Sequence, residues 1–109
     1  MATTYKVLGQ SAPGATTLVP LYIVPASTQA VLSTLSVCNR GLSTGTFSIT
    51  VQPFGNAVSS QHYIAYEASI AANDSLFLTI GVTLGPTDVV SVYASSSAFS
   101  FGAFGSETA

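Results

Sequence analysis

Charge is what this sequence has least of. Only Lys6, Arg40, Glu67, Asp74, Asp88 and Glu107 are formally charged among 109 residues, which leaves a net charge of −2. Ordinary domains are about 25% charged. Two cations cannot build the basic stripe that nucleic-acid phosphates require, so DNA and RNA are not expected partners. Cysteine is nearly absent too. The single Cys38 excludes an intrachain disulfide and a Cys-based zinc site, and it reads as a small buried hydrophobe. Long apolar runs are missing. The longest, Leu18 to Ala26, is interrupted by Pro20 and Pro25. It falls well short of the roughly 20 residues a spanning helix needs, so no membrane contact is expected. The opening stretch MATTYKVLGQ lacks the apolar h-region of an export signal, so the chain is expected to stay in a cytoplasm or to leave by a route other than signal-directed export.

What remains is apolar, hydroxylated and rich in turns. Hydrophobic residues make up 48% of the chain and mean hydropathy is +0.54. A folded monomer of this mass exposes about 5,700 Å², or about one charge per 900 Å². The 29 serines and threonines cover part of that surface. Neighbouring subunits are the natural cover for the rest, because an apolar surface with so few charges associates.

Residues that favour strands and turns dominate, and helix signals are weak. Turn clusters recur about every ten residues. Thr3 to Leu8 predicts a first strand with Tyr5 and Val7 on one side, followed by a loop through Pro13-Gly14. Thr16 to Val24 is extended and, because Pro20 removes a ladder donor, either belongs at a sheet edge or begins as a strand after the proline. Thr28 to Asn39 predicts a strand with Val31, Leu35 and Val37 on one face and Ala30, Leu32 and Cys38 on the other. Apolar residues on both faces make it central, or place one face in a subunit contact. Asn39 to Gly45 predicts a hairpin turn with Asn39 and Gly41 at positive φ. Thr46 to Gln52 alternates, with Phe47, Ile49 and Val51 inward and Thr46, Ser48, Thr50 and Gln52 outward. Leu76, Leu78, Ile80 and Val82 share one strand face, with Phe77 and Thr79 opposite. Asp88 ties down the turn after Gly85-Pro86 through its side chain. Val89 to Ala94 and Ala98 to Phe104 are the last strands, and Gly105 to Ala109 reads as a loose polar tail. About eight strands with this patterning predict one all-β domain over residues 1–109. The expected fold is an antiparallel two-sheet β-sandwich, jelly-roll-like, with short flexible termini. A small β-barrel is the alternative.

No catalytic constellation is visible. His62 is the only histidine. With sixteen serines a chance partner is near certain, so composition carries no evidence for a triad. His62 reads instead as a surface or interface imidazole. The carboxylates are separated by loops, whereas paired acid–base chemistry or calcium binding needs them convergent. Gly41 to Gly45 lacks the lysine and the strand-to-helix setting of a phosphate loop. No cofactor and no metal are expected. Arg40 has two readings, a solvated gatekeeper at a strand end or a bidentate link to a carboxylate on a neighbouring subunit. The aromatic residues exceed what inward alternation demands, and tyrosine and phenylalanine favour the centres of protein contacts. A carbohydrate platform would usually combine tyrosine with tryptophan and well-placed carboxylates, and tryptophan is absent. Tyr22, Leu35, Arg40, His62, Tyr63, Tyr66, Phe101 and Phe104 are the expected contact residues.

The run Tyr22-Ile-Val-Pro25-Ala-Ser-Thr-Gln-Ala-Val31, followed by Leu35-Ser-Val37-Cys38-Asn39-Arg40, resembles small virion structural proteins of tailed bacteriophages, cyanophages included. Tyr63-Ile-Ala-Tyr66, Ala71-Ala72-Asn73-Asp74, Thr87-Asp88-Val89-Val90-Ser-Val92-Tyr93 and Phe104-Gly105-Ser106-Glu107 fit the same pattern, so the likeness spans nearly the whole chain. It implies a non-enzymatic virion component. The closest role is a capsid decoration, or cement, protein that sits as a homotrimer on the major capsid protein or other virion proteins. Neck, tail or fibre/adhesin components form the alternative, and a small hydrolase is the remaining class.

Overall fold

Alternation of apolar and polar residues leads to eight strands, and the computed structural model describes them over residues 2–109. They are β1 (Thr3–Ser11), β2 (Val19–Ile23), β3 (Gln29–Asn39), β4 (Gly45–Gln52), β5 (Tyr63–Ile70), β6 (Asp74–Leu84), β7 (Val89–Ala94) and β8 (Phe99–Thr108). Two four-stranded antiparallel sheets result, one in the order β1-β8-β3-β6 and the other in the order β2-β7-β4-β5. The chain crosses from sheet to sheet at nearly every connection; β4 and β5 are the consecutive strands that stay together. This interleaved order in two packed sheets is a jelly-roll β-sandwich, and it is not a closed barrel. The segment from Asn39 to Gly45 is therefore a corner between sheets and not a hairpin. Neither Asn39 nor Gly41 has positive φ. The corner is held by the buried Asn39 side chain, whose Nδ2 donates to the carbonyls of Ser43 (3.0 Å) and Ile70 (3.2 Å) while Oδ1 accepts from Gly41 N–H (2.9 Å).

The core lies between the sheets. Leu32, Leu35 and Val37 of β3 and Phe99, Phe101 and Ala103 of β8 face Phe47 and Ile49 of β4 and Val90, Val92 and Ala94 of β7. Phe101 packs edge-on to Phe47 and lies nearly parallel to Phe99. Leu78, Ile80 and Val82 pack against this cluster, on the face their spacing predicts. Pro20 sits in β2 at a sheet edge, and β3 is central, both as the residue pattern requires.

The face assignment within β3 is different from simple alternation. The register against β8 slips by one residue between Leu32 and Thr34, leaving Ser33 as the bulge. β1 slips at the same level, at Leu8, and β6 sets Ile80 and Gly81 against Ser33. One row of bulges crosses the sheet beside the straight β8. A one-residue slip exchanges the faces of a strand. Ala30 and Leu32 therefore point inward before the bulge, and Leu35 and Val37 after it, while Val31 faces out. Gly105 sits in this row, where a Cβ would fall on the Val31 carbonyl oxygen. Gly81 takes φ +59°.

Two further expectations change. Residues 105–108 are strand, paired to β1 on one side and β3 on the other; the polar tail is the middle of a sheet. Cys38 is half-buried on the outer face and not in the core. On the other sheet, Ser48, Thr50 and Gln52 do point away from the core, yet all three are buried. The β4–β5 connection, with single 3-10 turns at Pro53–Gly55 and Ser60–His62, is tied to Gln52, and Ser48 lies under the β5 bulge, accepting from Glu67 N–H. Gln52 Oε1 accepts from Thr50 Oγ1 and Ser91 Oγ, and its Nε2 donates to the Asn56 carbonyl. Asp88 anchors the start of this connection, as the turn chemistry predicts: its carboxylate accepts from the Phe54 and Gly85 N–H groups.

Candidate functional site

The eight expected contact residues do not converge. Leu35 and Phe101 lie in the intersheet core, Leu35 with no exposed surface. Their apolar side chains pair with core neighbours and are closed to a partner. Tyr22 is also buried, because its strand turns it inward across the sandwich edge, where its hydroxyl donates to Glu107 Oε2 at 2.5 Å. Burial and then this carboxylate raise the Tyr22 pKa far above the ordinary phenol range. The Tyr22 hydroxyl and Lys6 Nζ (3.0 Å) hold Glu107 below the usual carboxylate range. His62 is buried rather than on the surface, because it closes the second 3-10 turn: its Nδ1 accepts from Ser59 N–H at 3.1 Å. Arg40 is exposed, with Nε on Ser100 Oγ (2.8 Å) and Nη2 on the Ser97 carbonyl (3.2 Å). It clamps the β7–β8 turn of its own chain.

Phe104, Tyr63 and Tyr66 remain on the outside, and they sit on opposite faces. Phe104 lies half-buried on the outer face of the β1-β8-β3-β6 sheet, over Gly102. In-register partners share a face, so this surface can be read strand by strand. Outward positions are Tyr5, Val7 and Gln10 in β1 and Ser100, Gly102, Phe104 and Ser106 in β8. From β3 come Val31, Thr34, Ser36 and Cys38, and from β6 Ser75, Phe77, Thr79 and Thr83. None of these strand positions is Asp, Glu, Lys or Arg; a charge reaches them in Arg40, bonded to Ser100 at one end of the face. Tyr5 is 84% exposed, Phe77 68% and Val7 50%. Scattered exposed apolar residues are normal on any protein. An uncharged face with aromatic or aliphatic groups on all four strands is different, because such patches mark association surfaces. Sequence reasoning did not single out Phe77, Val31, Tyr5 and Val7, which are exposed on this face. The signal was available in the pairing of Tyr5 with Val7 on one side of β1 and in Phe77 opposing the core leucines of β6.

The second outer face carries a tyrosine cluster. Tyr63 and Tyr66 meet edge-to-face with centroids 4.9 Å apart. With Tyr93, Ser48 and Glu67 they line a cleft of about 170 Å³. Tyr63 and Tyr66 also border a neighbouring hollow of about 410 Å³ beside Val58, Ser59 and Ser60. Among the described residues no group of three or more His, Cys, Asp or Glu side chains is placed to hold a metal ion. Among the described residues no helix is long and apolar enough to cross a membrane.

Comparison with known proteins bears on the fold. The chain matches solved viral structures. One is the structure of infectious bursal disease virus, Gx strain, at 14% identity and TM-score 0.51, covering 97% of this chain and 30% of that one. Another is the crystal structure of the T13 particle of the same virus, at 11% identity and TM-score 0.51, covering 96% and 30%. The chain thus spans under a third of the length of these neighbours, and at this identity the likeness is one of fold. No family model matches the sequence, and no curated protein matches it.

Proposed function

We propose that this chain is a structural component of a virus particle, specifically a decoration protein of a tailed-phage head that binds the assembled capsid as a trimer and takes no part in catalysis. The observation that carries this reading is the uncharged outer face of the β1-β8-β3-β6 sheet, with Tyr5, Val7, Val31, Phe77 and Phe104 spread across it. Each Å² of apolar surface buried there contributes about 25 cal/mol. Apart from Arg40, which reaches the face at Ser100, its strand positions carry no charge to desolvate, so most of that gain is kept, and repetition on a lattice adds avidity. The likeness of fold to the matched viral structures and the resemblance to phage virion proteins support the same assignment.

A second reading, a neck, tail or fibre/adhesin component, is favoured by the tyrosine cleft on the opposite face. A cryo-EM map of the parent particle separates the two. Density over capsomer joints is the expected result, together with a trimer mass in light scattering of the purified protein. Density confined to the tail would overturn the head assignment in favour of the second reading.

A further inference from the structure

We propose that the cleft formed by Tyr63, Tyr66, Tyr93, Ser48 and Glu67 is a carbohydrate-binding site that takes a neutral pyranose, with a second sugar in the adjoining hollow. The backbone builds it deliberately. Between the pairs Phe47–Ala68 and Ile49–Ala65, the β5 strand sets two residues, Tyr66 and Glu67, against Ser48 alone. In a regular strand consecutive side chains point to opposite faces; a bulge re-aims them. Glu67 takes φ +48°, an uncommon conformation for a residue with a side chain, and its N–H is held by Ser48 Oγ at 3.0 Å. The result places an acidic side chain beside an exposed aromatic ring, where strict alternation would have turned one of them into the core.

The cleft has the chemistry of a sugar site. A pyranose presents C–H faces and a rim of hydroxyl groups. Tyrosine rings bury large area with little conformational freedom to lose, and their faces suit C–H groups. Tyr66 is 65% exposed, so its ring is not committed to the core. The Tyr63, Tyr66 and Tyr93 hydroxyls and the Glu67 carboxylate make no hydrogen bond within the described residues, and all four residues line one concavity. A carboxylate accepting sugar hydroxyls forms charge-assisted bonds about twice as strong as neutral ones. The cleft is the more polar of the two concavities and the adjoining hollow the more apolar, and apolar walls beside a few convergent polar groups are the general form of a small-ligand site. Glu67 is the only charge in the lining, which disfavours sialylated, sulfated and phosphorylated sugars. Because Tyr63 and Tyr66 wall both hollows, the site fits two linked residues better than one.

The inference rests on the cleft alone and holds for a head or a tail position. Saturation-transfer NMR on the purified chain tests it. The probes are methyl glycosides of glucose, galactose and mannose, with maltose, lactose and cellobiose, each at millimolar concentration. At least one neutral probe is expected to bind, a disaccharide more tightly than its monosaccharide. Tyr66→Ala and Glu67→Gln should each weaken that binding at least tenfold while melting within a few degrees of wild type, and Phe77→Ala on the opposite face should leave it unchanged. Absence of binding across the neutral panel would overturn the proposal. So would equal binding by the Tyr66→Ala protein, or preference for 3′-sialyllactose over lactose.

Discussion

Replacing Leu35 and Phe77 in turn by aspartate separates folding from assembly. Leu35 pairs in register with Leu78 on one side and Ala103 on the other, and has no exposed surface. Truncation to alanine alone costs about 2–5 kcal/mol. With a melting shift of about 4 °C per kcal/mol for a chain of this size, Leu35→Ala should melt about 8–20 °C lower. Aspartate adds an unpaired buried charge worth several kcal/mol more. The total reaches the whole stability of a typical small domain, about 5–15 kcal/mol, so Leu35→Asp should be unfolded at room temperature. Phe77 is largely exposed on β6, the edge strand of the apolar face. Substitutions at such positions change stability by about 0.5 kcal/mol or less, so Phe77→Asp should melt within about 2 °C of wild type. A charge buried without a partner at the capsid contact would cost at least about 2.8 kcal/mol, a hundredfold in affinity at 1.4 kcal/mol per tenfold. Circular dichroism melts and co-sedimentation with particles stripped of this protein read the two effects separately. A folded Leu35→Asp protein would refute the placement of Leu35 in the core. A Phe77→Asp protein that co-sediments as well as wild type would refute the contact face.

The row of bulges makes a contrast between two glycines: Gly105→Ala, whose methyl meets the Val31 carbonyl, should lose about 2 kcal/mol or more, whereas Gly81→Ala has open space around it and should lose only about 1–2 kcal/mol for its left-handed backbone, both measured by denaturant melts. Asn39→Ala removes the buried bond to the Ile70 carbonyl and the part-buried ones to Ser43 and Gly41, and the buried unpaired group alone costs about 1–3 kcal/mol; the urea midpoint should fall with an unchanged m-value. Glu107 has a lowered folded-state pKa, so its contribution is present above the ordinary carboxylate pKa and is lost as pH falls through the lowered value. Glu107→Gln should therefore flatten the acid limb of stability against pH, and an unchanged limb in acid titration monitored by fluorescence would exclude the Tyr22–Glu107–Lys6 cluster as its source.

The sequence by itself determined the fold class, because short alternating strands between turn residues leave two apolar faces that must cover each other. It also determined that β2 lies at an edge, since Pro20 cannot donate, and that Asp88 fastens its turn. Where it misled, nonlocal pairing was the reason. Val31 and Leu35 look like one face until the bulge at Ser33, which exists only because β3 must stay in register with β8 across a row of slips. The polar residues 105–108 look like a tail until β1 and β3 bracket them. Leu35, Phe101, Tyr22 and His62 carry the composition of contact residues, but burial is a property of what packs over them, and only the tertiary structure supplies it. The same holds for both outer surfaces. The uncharged face gathers Tyr5, Val31, Phe77 and Phe104 from strands up to a hundred residues apart in the chain. The tyrosine cleft joins Tyr93 to Tyr63 and Tyr66 through β4, and places Glu67 beside them by a bulge that no local pattern announces.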